Sequence, residues 1–152
     1  MYTTEEIEDA AILALGPLKS TLGVRTLKSY QGELEEEDVK RLIALFPAIY
    51  VVYGGSRFVT SGRRVVETMT WHFFVCDKNL RSEEEARKGS DRNPGTYAML
   101  RSVLSKLGGQ QLSLEIQPFK PIRQQTVWFG GGISIYSSDF EMGQSLLLPE
   151  TD

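Results

Sequence analysis

Apolar and polar positions alternate most regularly between Val65 and Val75, which reads VVETMTWHFFV. Val65, Met69, Trp71, Phe73 and Val75, with Glu67 among them, fall on one side of an extended strand. Val66, Thr68, Thr70, His72, Phe74 and Cys76 fall on the other. Side chains alternate across a strand with period two, so the first side is apolar at nearly every step and the second is mixed. Helical spacing would scatter the same residues around the whole circumference. The pattern predicts a long central strand with its odd-numbered face on the core and partners on both edges.

The remaining elements follow in chain order. Thr3 to Leu22 predicts a helix. Thr3 and Glu6 have capping-box spacing, and Ile7, Ala10, Ala11, Ala14, Leu15, Leu18 and Leu22 form one stripe. Gly16-Pro17 should kink or break it, because Pro17 has no N–H to give the Leu13 carbonyl. Gly23 stops it, and Val24 to Tyr30 reads as a short strand. Glu33 to Phe46 reads as a second helix, starting either there or after the charge run GELEEED, and Pro47 ends it. Ala48 to Tyr53 (AIYVVY) is an apolar, β-branched run of buried-strand type, and Gly54 to Gly62 reads as the connector into the central strand.

Lys78 to Gly95 is almost wholly polar, with one short helix expected from Ser82, where Glu85 completes a capping box. It is longer than an ordinary connector and reads as a polar arm. A helix follows from Pro94-Gly95-Thr96 to Leu107, with Tyr97, Leu100, Val103, Leu104 and Leu107 on one face and Gly108-Gly109 as its stop. Three further strands are expected at Ser113 to Gln117, Gln124 to Phe129 and Gly131 to Phe140. Short turns between neighbouring strands argue antiparallel pairing. The fold class is therefore α+β, a mostly antiparallel sheet with helices packed on one face, in a single domain spanning 1–152.

Charge and composition narrow the function classes. Twenty acidic against 17 basic residues make the chain no basic nucleic-acid platform. One cysteine excludes an internal disulfide. No apolar run approaches the ~20 residues that span a bilayer. The acidic start MYTTEEIEDA is unlike a secretory or transit peptide. The expectation is a soluble cytoplasmic domain that does not engage membranes.

Catalytic chemistry is sparse. His72 and Cys76 share a strand face but stand about 13 Å apart along it, too far to ligate one metal or act as nucleophile and base. No second ligand or base lies within strand reach of His72. Gly130-Gly131-Gly132 lacks the helix, Lys and Ser/Thr of a phosphate loop and reads as a turn or bulge. Glu83, Glu84 and Glu85 are consecutive and point in different directions. The expectation is no catalytic residue, no metal and no cofactor. Arg57, Arg63 and Arg64 cluster around Phe58 on the connector, as a solvated loop tip or a contact surface.

Four stretches carry a family resemblance. They are Ile7-Glu8-Asp9-Ala10; Val24 to Tyr30 (VRTLKSY); Pro47 to Gly55 (PAIYVVYGG); and Asn79-Leu80-Arg81 with Glu84-Glu85-Ala86-Arg87, Gly89, Pro94-Gly95-Thr96-Tyr97 and Leu107. Over residues 5 to 110 the chain resembles the Mu-like phage proteins assigned to the tail-terminator, or neck, position of contractile tails. After Leu112 little anchors the match. The resemblance implies a structural part in the virion tail or neck, assembled in the host cytoplasm. It implies a homohexameric ring that caps the tail tube, with the sheath as a further contact, and meets the head connector; DNA would at most pass through its lumen. The residues expected to carry assembly are Arg57, Phe58, Arg63 and Arg64 on the connector, with Leu80, Arg81 and Arg87 on the arm. The alternatives are a small-ligand-binding or regulatory α+β domain, or a small enzyme whose site goes unrecognised. These would show a pocket with convergent polar groups, or no ring.

Overall fold

The structure is a computed structural model that describes residues 1–150. Five strands form one sheet, and the order of elements places the sequence patterns directly. Helix α1 runs Thr4–Leu15, α2 Leu18–Thr21, and strand β1 Thr26–Ser29. After a 3-10 turn at Glu33–Glu35 come α3 (Val39–Ile43), β2 (Ala48–Ser61) and β3 (Arg64–Lys78). The chain continues with α4 (Glu83–Lys88), α5 (Thr96–Leu107), β4 (Lys120–Gly130) and β5 (Ile133–Leu147). The sheet order is β1-β2-β3-β5-β4; only β1 and β2 are parallel. This is the expected α+β class.

Strand β3 is the central strand, paired with β5 along its whole length and with β2 from Arg64 to Cys76. Its odd-numbered face is the core face: Val65, Met69, Trp71, Phe73 and Val75 are buried. Ile7, Ala11 and Leu15 of α1 and Met99, Val103 and Leu107 of α5 close over them. Glu67, a charged position on that face, is reached by Ser56 Oγ at 2.7 Å and Gln144 Nε2 at 3.0 Å. Gln144 also ties down the N-terminus through the backbone of Tyr2. Thr3 caps α1 by accepting from the Glu6 N–H, and the helix ends where Pro17 cannot continue it: Gly16 N–H turns to Leu13 O instead.

Four expectations are corrected. The second helix is a 3-10 turn and the five-residue α3, started by Asp38 accepting from Lys40 N–H; crowded like charges keep Glu36 and Glu37 out of either. Gly54 to Gly62 is no connector, because β2 continues through it to Ser61, with a bulge between Tyr53 and Gly55. No strand forms at 113–117, since Leu112 and Ser113 both adopt left-handed backbone, and Ile116 is buried as a plug. The last two strands are longer than expected, with β5 reaching Leu147.

The second face of the sheet is covered at one end only. There Leu42 and Phe46 pack on Ala48, Tyr50, Cys76, Ile133 and Ile135. Burial pushes the Cys76 thiol well above its ordinary pKa and leaves it inert.

Candidate assembly surfaces

The expected assembly residues fall on two surfaces, not one. Arg57, Phe58, Arg63 and Arg64 belong to the β2–β3 hairpin, whose outer part runs beyond the helical layer and is exposed from Arg57 to Arg64. Leu80, Arg81 and Arg87 lie at the other end of β3. Arg64 and Lys78 are fourteen positions apart on β3, about 45 Å of strand.

The hairpin tip is stiffened by its own pairs. Arg57 Nη1 meets Glu141 Oε1 at 3.1 Å, and Arg63 bonds Glu150 and the Leu148 carbonyl. Leu148 N–H returns to Arg63 O at 2.7 Å, holding the end of β5 to the turn. Arg64 has no acidic partner among the described residues. Phe58 and Val59 are 58% and 67% exposed, on opposite faces of the hairpin, and Leu147, 66% exposed, pairs with Arg64 on the other side of β3.

The polar arm is bound to the body. Asp77, fully buried, accepts from Lys78 N–H, Asn93 Nδ2 and, at 2.6 Å, Gly95 N–H. Burial raises its pKa and outweighs those hydrogen bonds. Asn93 also reaches Glu85 O, Asn79 bonds Asn93, and Ala86 is buried. Ser82 caps α4 as its spacing predicts. Gly95, at φ 85°, lies so close to Gly89 that a Cβ would stand 2.3 Å from the Gly89 nitrogen, so the loop closes only with glycine there. Leu80 and Arg81 remain exposed, while Arg87 is half-buried.

On the open face, His72 has a partner that spacing along one strand could not show. Its Nδ1 lies 2.7 Å from Asp139 Oδ1, on β5, and Arg123 Nε of β4 donates to Asp139 Oδ2 at 2.9 Å. Ser137 donates to the same carboxylate. Burial raises the Asp139 pKa, but the bonds from Ser137, His72 and Arg123 outweigh it and hold the carboxyl below its ordinary value. The cluster crosses three strands. Ser137 gives its hydroxyl to the carboxylate and not to the imidazole, and the Gly54 backbone closes against Nε2, where a Cβ would stand 2.6 Å away. The arrangement pins the edge strand and places no nucleophile on His72.

A groove missed by sequence reading lies on this face at the Lys78 end. Leu34, Val39 and Leu42 form one wall; Val127, Trp128, Phe129, Ile133 and Ile135 form the other, around about 610 Å³. Trp128 and Phe129 are each 58% exposed. Gly130 and Gly131 also line the groove, and next to them Gly132, at φ 81°, meets the backbone of Asn79 and Leu80 too closely for any side chain. The triple glycine is thus the β4–β5 turn, as its sequence context predicts.

A family model described as bacteriophage Mu, Gp37 matches residues 4–145. The chain belongs to the bacteriophage Mu Gp37 family. No curated protein matches it. The Gp37 match begins with α1 and ends inside β5, so it takes in β4 and most of β5, beyond Leu112, where the sequence resemblance had no anchor. The hairpin tip up to Arg64 and both walls of the groove lie within the Gp37 span; Leu147 and Leu148 lie past it.

Proposed function

We propose that this Gp37-family protein is a non-enzymatic structural part of a phage or prophage tail, acting at the terminator or neck position. The observation that carries the reading is the family match over residues 4–145. The geometry supports it. The His72–Asp139 pair is committed to joining strands. Two groups of exposed apolar residues, Phe58, Val59 and Leu147 at one end of the sheet and Val127, Trp128 and Phe129 toward the other, suit end-to-end assembly. In this role copies of the chain form a closed ring, homohexameric by the family resemblance, on the tail tube, with the sheath and head connector as neighbours and DNA passing through the lumen. No helix of the described residues is long and apolar enough to cross a membrane.

The test is a nonsense mutation in the gene, within the phage or prophage that encodes it. Electron microscopy of the lysate should show full heads separated from tails, and tails of irregular length. Particles with normal, joined tails would overturn the assignment.

A further inference from the structure

Two exposed apolar surfaces on this protein are complementary in charge and lie too far apart to meet within one copy. The first is the β2–β3 tip, where Phe58, Val59 and Leu147 project. Residues 54–66 around it contain three arginines and no acid; Arg57 and Arg63 pair with Glu141 and Glu150 from the neighbouring strand and its exit, which leaves Arg64 without an acidic partner among the described residues. The second is the groove between α3 and the β4–β5 turn. Between two of its lining residues, Leu34 and Val39, the chain reads Glu35, Glu36, Glu37 and Asp38, four exposed acids in succession. We propose that the tip of one copy seats in the groove of the next, Val59 and Leu147 on Trp128 and Val127, with the unpaired Arg64 over the acidic run. This rests on the tail-ring reading and names the interface that reading requires.

Three observations favour a second copy as the occupant. The tip and the groove stand at opposite ends of β3, about 45 Å apart, so the strand cannot fold one onto the other. An apolar centre with charge at the rim is the usual layout of a specific interface, and opposite charges set its orientation. Joining two different patches is a heterologous contact, which repeats head to tail and closes into a ring when the rotation allows. The exposed edge of β4 is a poorer docking site, because Pro121 and bulges at Pro121/Arg123 and Thr126/Trp128 interrupt the row of backbone groups a new strand needs.

The experiment uses two variants of the full chain, each altered on one surface at exposed positions. The tip variant carries Val59→Asp with Leu147→Asp; the groove variant carries Val127→Asp with Trp128→Ala. Circular dichroism and melting temperature check that both fold. By light scattering over a concentration series, wild type should form closed multimers, and each variant alone should lose at least tenfold in self-association. An equimolar mixture should recover heterodimers and nothing larger, because only one intact tip and one intact groove can meet. A disulfide between Val59→Cys and Val127→Cys, introduced together, should give a ladder of linked chains on oxidation; Cys76 is buried and the only native cysteine. Variants that assemble like wild type, mixtures that grow past dimers, or an oxidised chain that stays single at millimolar concentration would each overturn the interface. The tail assignment fails separately. A chain that self-assembles through these surfaces while its nonsense mutant builds normal tails refutes the tail role alone. A chain required for tails whose tip and groove variants still complete them refutes the interface alone.

Discussion

Removing Asp139 should loosen the sheet edge by an amount the geometry sets. Its carboxylate is 2% exposed and accepts from three groups of different burial. Ser137 is equally buried, so Asp139→Ala strands its hydroxyl at a cost of about 1–3 kcal/mol. His72, with its side chain 26% exposed, loses its Nδ1 partner but regains part of that in water, leaving about 1 kcal/mol. Arg123 is mostly exposed and contributes between about 0 and 1 kcal/mol. The expected loss is therefore about 3 kcal/mol, a large share of a typical domain's ~5–15 kcal/mol. Urea unfolding at pH 7 measures it, with an unchanged m value as the sign that only stability moved. A cycle with His72→Ala should show the two residues coupled by about 1 kcal/mol, and a cycle with Arg123→Ala should show less. The pH dependence has a definite sign. The folded Asp139 pKa is lowered, so its contribution is whole above the unfolded value of about 3.9 and is lost as pH falls through the lower folded value. The gap between wild type and Asp139→Ala should hold from neutral pH to about 5 and close below 4. A loss under about 1 kcal/mol at pH 7, or a gap that widens in acid, would refute the reasoning.

Two further predictions concern other buried groups. Trp71 is fully buried beneath the helices, so Trp71→Ala should cost about 3–5 kcal/mol in urea unfolding. Its Nε1 has no hydrogen-bond partner among the described residues, so Trp71→Phe should forfeit no bond and cost well under half as much; equal losses would contradict the unpartnered indole. Asp77 should titrate in the opposite sense to Asp139. Its folded pKa is raised, so its contribution is full below about 3.9 and is lost as pH rises through the folded value. Wild type should therefore gain on Asp77→Asn as the pH falls from neutral toward 4 in parallel thermal melts, and a gap that stays constant would count against it.

What local pattern controls was legible before any fold was known. The β3 alternation, the Thr3 and Ser82 caps, the break at Gly16-Pro17 and the Gly130–Gly132 turn each depend on neighbours within a few residues. Strand β5 was only half legible because, as an interior strand, it is buried on both faces for most of its length and shows no alternation. Of the candidate site, the arginine tip could be named from sequence. Its separation from Leu80, Arg81 and Arg87 could not, since the length of β3 between them emerges only when β2 and β5 pair along it.

Tertiary structure alone decided the rest. Gly54-Gly55 looks like a strand end, yet β2 continues to Ser61 because hydrogen bonds to β3 outweigh glycine's weak strand preference. His72 looks solitary until register brings Asp139 to it from 67 residues away, with Arg123 on the next strand. Asn79 and Asn93 read as part of a polar arm, yet with Asp77 they anchor it, because a buried carboxylate gathers the N–H groups of the loop around it. The groove joins α3 to the β4–β5 turn, nearly ninety residues apart, and each wall is ordinary by itself. Sequence sets the period and the ends of elements through local sterics and hydrogen bonding. Which faces meet depends on strand order and register, which emerge only when all five strands pair together.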